Sequence, residues 1–414
     1  MKMWQWIFLC CMTLIGFTDA ITVGSDVEAM KELKDSVNPG SIPAGSCLSS
    51  WNFSVDPCDT AFRQYFTCGI RCAGSPARVT EITLDAAGYN GSLTPGIAKL
   101  AALQILDLSN NLFAGEIPSS FQNLSSLQRL LLSHNRFSGN IPESVGGLQS
   151  LEQLSLDNNI LQGSIPRALG GLKKLIRLEL QGNRLSGDFP DLSGAQSLTF
   201  LDASDNLLSG NFPANALPPP LVELSLRNNR LSGTLWLDLA KLELLQVVDL
   251  SSNQLSGDLQ SGFFNHPSLQ QLTLSHNGFT SVQVPGNYGT NSELIAVDLS
   301  FNQIQGPLPT FMATMPRLSS LSLQYNYFTG TIPFQYAMKA SSSLAGKEPL
   351  LRLFLSGNYL FGQIPAPFFH LSSDNAQLSF VDNCLLDCPA AFLFCQGGNQ
   401  KTQSTCRSFT PLVP

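Results

Sequence analysis

Residues 103–118 read Leu-Gln-Ile-Leu-Asp-Leu-Ser-Asn-Asn-Leu-Phe-Ala-Gly-Glu-Ile-Pro. The fixed positions are Leu103, Leu106, Leu108, Asn111, Phe113, Gly115, Ile117 and Pro118. The same pattern returns every 23 to 25 residues, with its Asn at Asn135, Asn159, Asn183, Asn206, Asn229, Asn253, Asn277, Asn302 and Asn326, and once more at Asn358 after an insertion. A repeat of this length cannot bury its own apolar face and must stack on its neighbours. The expected architecture is an α/β repeat solenoid, with about twelve repeats over residues 79–377.

Within each repeat the short strand alternates, so Leu106 and Leu108 point inward and Asp107 points outward. The Asn follows the strand, where the chain turns inward, and its amide can satisfy backbone groups buried by the turn. These asparagines are read as structural. The first unit has Ala87 where the Asn would stand, as suits a terminal repeat. The repeat around Asn277 lacks the Gly and Pro of its neighbours, so its outer side is expected to depart from theirs. The insertion, about residues 334–349, adds roughly eight residues and reads as a bulging loop.

The two ends differ from the middle. Residues 1–20 start Met1-Lys2-Met3, run apolar from Trp4 to about Phe17 and reach Ala20. That is a secretory signal, with cleavage expected after Ala20 or after Gly16; the run is too short for a spanning helix. No second long apolar run follows, and the proline-containing C-terminus resembles neither a span nor a lipid-anchor signal. The expected compartment is the extracellular space or cell wall.

Cysteines confirm this division. Cys47, Cys58, Cys68 and Cys72 precede the repeats; Cys384, Cys388, Cys395 and Cys406 follow them. Four at each end of a secreted chain imply two disulfides per end, with three connectivities open for each set. A zinc reading of the closely spaced pairs sits poorly with an oxidising compartment. Cysteine-containing caps are expected over 21–78 and 378–414, because a solenoid core is open to water at its ends. Val27, Met30, Leu33 and Val37 are spaced for a capping helix, followed by a loop-rich stretch to about Arg78.

Formal charge is −7, and losing Lys2 with Asp19 leaves it unchanged. No basic stripe exists to neutralise phosphates, which excludes nucleic acid as the partner. The sequence holds no metalloprotease, nucleophile-elbow, phosphate-loop or kinase motif. Its four histidines are scattered and read as surface polar residues. The chain is therefore expected to be no enzyme and to need no cofactor or metal.

Recognition then falls to the outward positions around the strand leucines. Exposed aromatics gather in the late repeats, at Phe301, Tyr325, Tyr327, Phe354 and Tyr359. Arg129, Arg177 and Glu179 form a candidate charged patch in the early ones. Aromatics and Arg are enriched at binding hot spots. Sequons at Asn52, Asn90 and Asn123 place any glycans in the N-terminal third and leave the late repeats clear.

The Gly-x-Ile-Pro half of the repeat, at Gly115, Gly139, Gly163, Gly330 and Gly362, resembles the plant-type extracellular leucine-rich repeat. Trp51, Asp56-Pro57-Cys58 and Gly69-Ile70-Arg71-Cys72 are similar to that family's N-terminal cap. The resemblance implies a right-handed superhelix with a concave parallel sheet and a second, shorter sheet. Family members include receptor kinases, receptor-like proteins and polygalacturonase inhibitors. This sequence carries no kinase, no island domain and no Arg-x-Arg pair on the strand face. Its C-terminal cysteine spacing is longer than that of the inhibitors, and it has more repeats. The resemblance implies a secreted module that binds an extracellular peptide, glycan or protein in cell-surface signalling or defence, working through a membrane receptor kinase. The alternative it implies is an inhibitor of a secreted polygalacturonase-type hydrolase.

Overall fold

The computed structural model describes residues 22–58, 69–212, 215–236, 239–341, 346–371 and 376–409. The expected signal segment and Cys68 lie outside them.

Strand residues such as Ile105–Asp107, Arg129–Leu131, Gln153–Ser155, Arg177–Glu179 and Phe200–Asp202 stack in parallel and in exact step. The turns differ in length outside the strand, and each still returns the strand position to the same register, even across the insertion. Among the described residues this sheet runs to fourteen strands. Its inward leucines, from Leu106 through Leu353, are fully buried. Each stabilises the stack by roughly 1.5–3 kcal/mol.

The Gly-x-Ile-Pro halves build a second set of short strands on the other side of the turn. Among the described residues it falls into pieces of two, six and four strands. One break follows Gly278–Val282, in the irregular repeat around Asn277. There the register slips beside Gly257, and the outer segment forms turns at 286–291 instead of the usual 3₁₀ helix.

Asparagines tie successive turns together as expected. Asn206 donates to Leu180 O, Ala203 O and Ser204 O at 3.0–3.2 Å and accepts the Leu185 N–H at 2.9 Å. The first turn, which has Ala87, is served from the next one: Asn111 accepts the Gly88 and Tyr89 N–H groups and donates to Asp85 O.

Helix α1 (Gly24–Asp35) closes the N-terminal end, burying Ala29, Met30 and Leu33. Asp26, fully buried on this helix, takes a two-pronged contact from Arg78 at 2.9 and 3.0 Å and the Val79 N–H at 2.9 Å. A short helix α2 (Cys47–Ser50) follows. The stretch read as loop also contains a strand, Ile70–Ala73, antiparallel to Arg78–Thr83. Disulfides join Cys58 to Cys72, Cys384 to Cys406 and Cys388 to Cys395; Cys47 is also disulfide-bonded.

The insertion departs from expectation. It holds a helix, α3 (Phe334–Ala340), that buries Tyr336, Ala337, Lys339 and Ala340 against the preceding repeat, so this part of it is packed structure and not a bulging loop. The C-terminal cap ends in helix α4 (Gln403–Phe409).

Candidate binding face

The residue just before each repeat Asn has a left-handed backbone. From Asn110 and His134 through Asn158, Asp205 and Asn228 to Asp382, φ lies between 52° and 58° at the non-glycine members, and Gly182 and Gly357 share the column. Asn, Asp and Gly tolerate this conformation; a bulky residue there loses roughly 1–2 kcal/mol. Phe301 and Tyr325 nonetheless occupy it, each at φ 53°.

Their rings form a stack. His276 lies 4.1 Å from Phe301, and Phe301 lies 4.4 Å from Tyr325, with planes within 19°. Each such pair returns about 0.5–1.5 kcal/mol. That roughly offsets the backbone strain, so the fold gains little from choosing aromatics here. The rings remain 38% and 45% exposed. Tyr325 lies over the next member of its column, Gly357, where a Cβ would fall 2.4 Å from the ring. Gly357→Ala is expected to push the ring aside and strain a backbone at φ 73°. The loss should be about 1–2 kcal/mol, seen as a lower denaturation midpoint.

Phe354 ends the strand Arg352–Phe354, on the outward side of the main sheet and three residues ahead of Gly357. Tyr327 and Tyr359 do not join this group. They open strands of the second sheet, and Phe409 of α4 stacks on them at 5.6 and 3.7 Å. The disulfide at Cys406 and the Lys401–Asp382 pair hold that segment in place. The expectation that both tyrosines face outward with Tyr325 therefore fails: one residue beyond the repeat Asn, the chain has turned to the other side.

The charged patch also divides. Arg177 pairs with Glu179 at 2.8 Å and lies 3.5 Å over the Phe200 ring. Burial alone would raise the Glu179 pKa, but hydrogen bonds from Arg177 and Ser155 with the Arg177 charge outweigh it and hold the carboxyl below its ordinary value. Arg129 stands in the same column two strands away, exposed and without an ion pair among the described residues. The three sequon asparagines, Asn52, Asn90 and Asn123, are all exposed.

Sequence reasoning missed His276 and Phe409 as stacking partners. The signal for His276 was present: the position before the repeat Asn is held mostly by residues suited to a left-handed backbone, and Phe301 and Tyr325 break that rule beside it.

Comparison with known proteins agrees with this architecture. The Leucine rich repeat N-terminal domain model matches residues 23–63, and Leucine rich repeat models match 78–137, 150–172, 220–242 and 244–266. The matched segments are leucine-rich repeats with their N-terminal domain, and the fold is similar to that of plant leucine-rich-repeat ectodomains. A probable leucine-rich repeat receptor-like serine/threonine-protein kinase of Arabidopsis thaliana is 34% identical over 121 residues, 26% of this chain and 11% of that protein. A second putative kinase of this kind from the same plant is 38% identical over 111 residues, again 26% and 11%. The matches thus span about a tenth of those relatives.

Among solved structures, the plant peptide hormone receptor RGFR1 in complex with RGF2 is 30% identical with a TM-score of 0.67, covering 75% of this chain and 50% of that one. PEPR1-AtPEP1 is 27% identical with a TM-score of 0.62, covering 91% and 62%. A plant ice-binding protein is 25% identical with a TM-score of 0.53, covering 75% and 89%. No helix among the described residues is long and apolar enough to cross a membrane.

Proposed function

We propose that this chain is a secreted, non-enzymatic recognition module. It binds an extracellular peptide or protein through the concave face of the main sheet, in cell-surface signalling or defence. The observation that carries the reading is the exposed His276–Phe301–Tyr325 stack, placed on a strained backbone at the end of the concave strands. Strain that packing does not require marks functional positions. Two similar structures, the plant peptide hormone receptor RGFR1 in complex with RGF2 and PEPR1-AtPEP1, support a peptide or protein as partner.

The test is affinity capture from cell-wall extract on the immobilised chain. Recovery of a receptor kinase supports signalling; recovery of a glycosidase supports inhibition of a polygalacturonase-type hydrolase instead. The double variant Tyr325→Asn with Phe354→Ala should weaken capture about tenfold or more, as loss of a hot spot does. Its thermal midpoint should stay close to that of the unaltered protein, since Asn suits the left-handed position. Undiminished capture by the double variant would place the binding face elsewhere.

A further inference from the structure

The surface beside the aromatic stack specifies what can lie on it. The ring faces are turned toward one another along the solenoid axis, at 4.1 and 4.4 Å. A ligand that needs an open ring face, such as a sugar, finds only the ends of the stack, and the Tyr325 end is pressed against Gly357. What faces solvent is a strip of ring edges, suited to aliphatic side chains laid along it.

The sheet next to the strip is charged in a regular way. The last strand position, three residues ahead of the aromatic column, reads Asp202, Ser225, Asp249, Thr273, Asp298 and Ser322 on successive strands in register. A carboxylate therefore stands on every second strand. One oxygen of each accepts an N–H two residues on, from Ser204, Ser251 and Ser300 at 2.9–3.0 Å. Those bonds fix the carboxylates in place. Among the described residues no Lys, Arg or His lies within ion-pair distance of any of the three. Alternate strands are roughly 9.5 Å apart, and three residues of extended chain cover about the same length.

We propose that the His276–Phe301–Tyr325 strip and the adjoining sheet bind an extended cationic peptide running along the solenoid axis. Basic side chains at every third position meet Asp202, Asp249 and Asp298. Aliphatic side chains beyond them pack on Phe301 and Tyr325. The charge complementarity steers the peptide and sets its register, while the rings supply the apolar contact. This inference rests on concave-face recognition and gives it a ligand chemistry.

The probe is a fluorescent peptide, Lys-Ala-Ser-Lys-Ala-Ser-Lys-Ala-Leu-Ser-Leu, titrated with the full mature chain. Controls are the same peptide with Glu for Lys, one with Lys at every second position, and an oligogalacturonide. Phe301→Asn with Tyr325→Asn removes the rings and keeps the left-handed backbone. Asp249→Asn with Asp298→Asn removes charge and keeps the oxygen that caps the turn. Either double variant should weaken binding of the Lys peptide about tenfold or more. Binding should also fall as salt rises, and the Glu peptide should not bind. Equal binding of the every-second-Lys peptide, or binding of the oligogalacturonide in place of the Lys peptide, overturns the proposal. An Arg177→Ala arm separates the two levels of inference. Binding lost there but retained in both double variants overturns this assignment and leaves concave-face recognition standing. Failure of the peptide together with failure of affinity capture removes both.

Discussion

Asn229→Ala should lower the stability of the solenoid by about 2–4 kcal/mol, the range for losing one buried amide that serves several backbone groups. Asn229 is only 8% exposed. Its Nδ2 donates to Ala203 O at 3.0 Å, Leu226 O at 3.1 Å and Arg227 O at 3.2 Å, and its Oδ1 accepts the Leu208 N–H at 2.9 Å. The carbonyls are partly insured, because Ala203 O is shared with Asn206 and Leu226 O with Asn253. The Leu208 N–H is held by the Asn229 side chain, and a buried donor left unpaired carries most of the loss. Asn229→Asp should be at least as damaging, since it sets a buried carboxylate against three carbonyl oxygens. The neighbouring Asn228 is exposed, and among the described residues its side chain bonds Asp205 alone, at 2.7 Å. Asn228→Gly keeps the left-handed backbone at φ 52° and should stay within about 0.5 kcal/mol of the parent. Urea denaturation of the three variants checks the order. Equal stability of Asn229→Ala and the parent would mean that the asparagine ladder does not hold the turns together.

The same two adjacent residues explain what could be read from the sequence and what could not. Asn229 recurs with the period because the turn leaves the same buried groups unpaired in every repeat, and that demand allows almost no other side chain. The leucines recur for the equivalent reason in the core. Position 228 is constrained only by its backbone angle, which Asn, Asp, Gly or His meets at little cost. When Phe301 and Tyr325 appear in its column, the sequence shows exposed aromatics but not that they stack on His276. Nor could it show that Tyr327 and Tyr359 turn to the second sheet and meet Phe409, because that contact depends on how the C-terminal cap folds back. The Asp26–Arg78 contact was hidden similarly: its partners are brought together by the cap and follow no period. Periodic demands are legible; contacts made once are not.

Lys339 is the strongest case of a contact made once, and its replacement should have a large effect. The side chain is completely buried in α3, and its Nζ donates to Met315 O and Glu348 O, both at 2.8 Å. It thereby joins the insertion to the end of the preceding repeat and to the returning chain. Lys339→Ala leaves a cavity and two carbonyls without this donor, with an expected loss of about 3–5 kcal/mol. Lys339→Met fills most of the volume and isolates the charge. Burial, with Lys347 acting in the same direction and Glu348 opposing, lowers the Lys339 pKa from 10.5 to about 8. Below about pH 8 both folded and unfolded chains carry the proton, and the folded state bears the full cost of a desolvated ammonium. Between about pH 8 and 10.5 the unfolded chain binds more protons than the folded one, so this group adds stability as pH rises. The stability difference between the parent and Lys339→Met should therefore widen in favour of the parent across that window, by on the order of 2–3 kcal/mol. Paired denaturation curves at pH 7.5 and pH 10 measure it, and the subtraction cancels every group the two proteins share. A difference that stays flat or narrows would show that the ammonium is not desolvated where the fold places it.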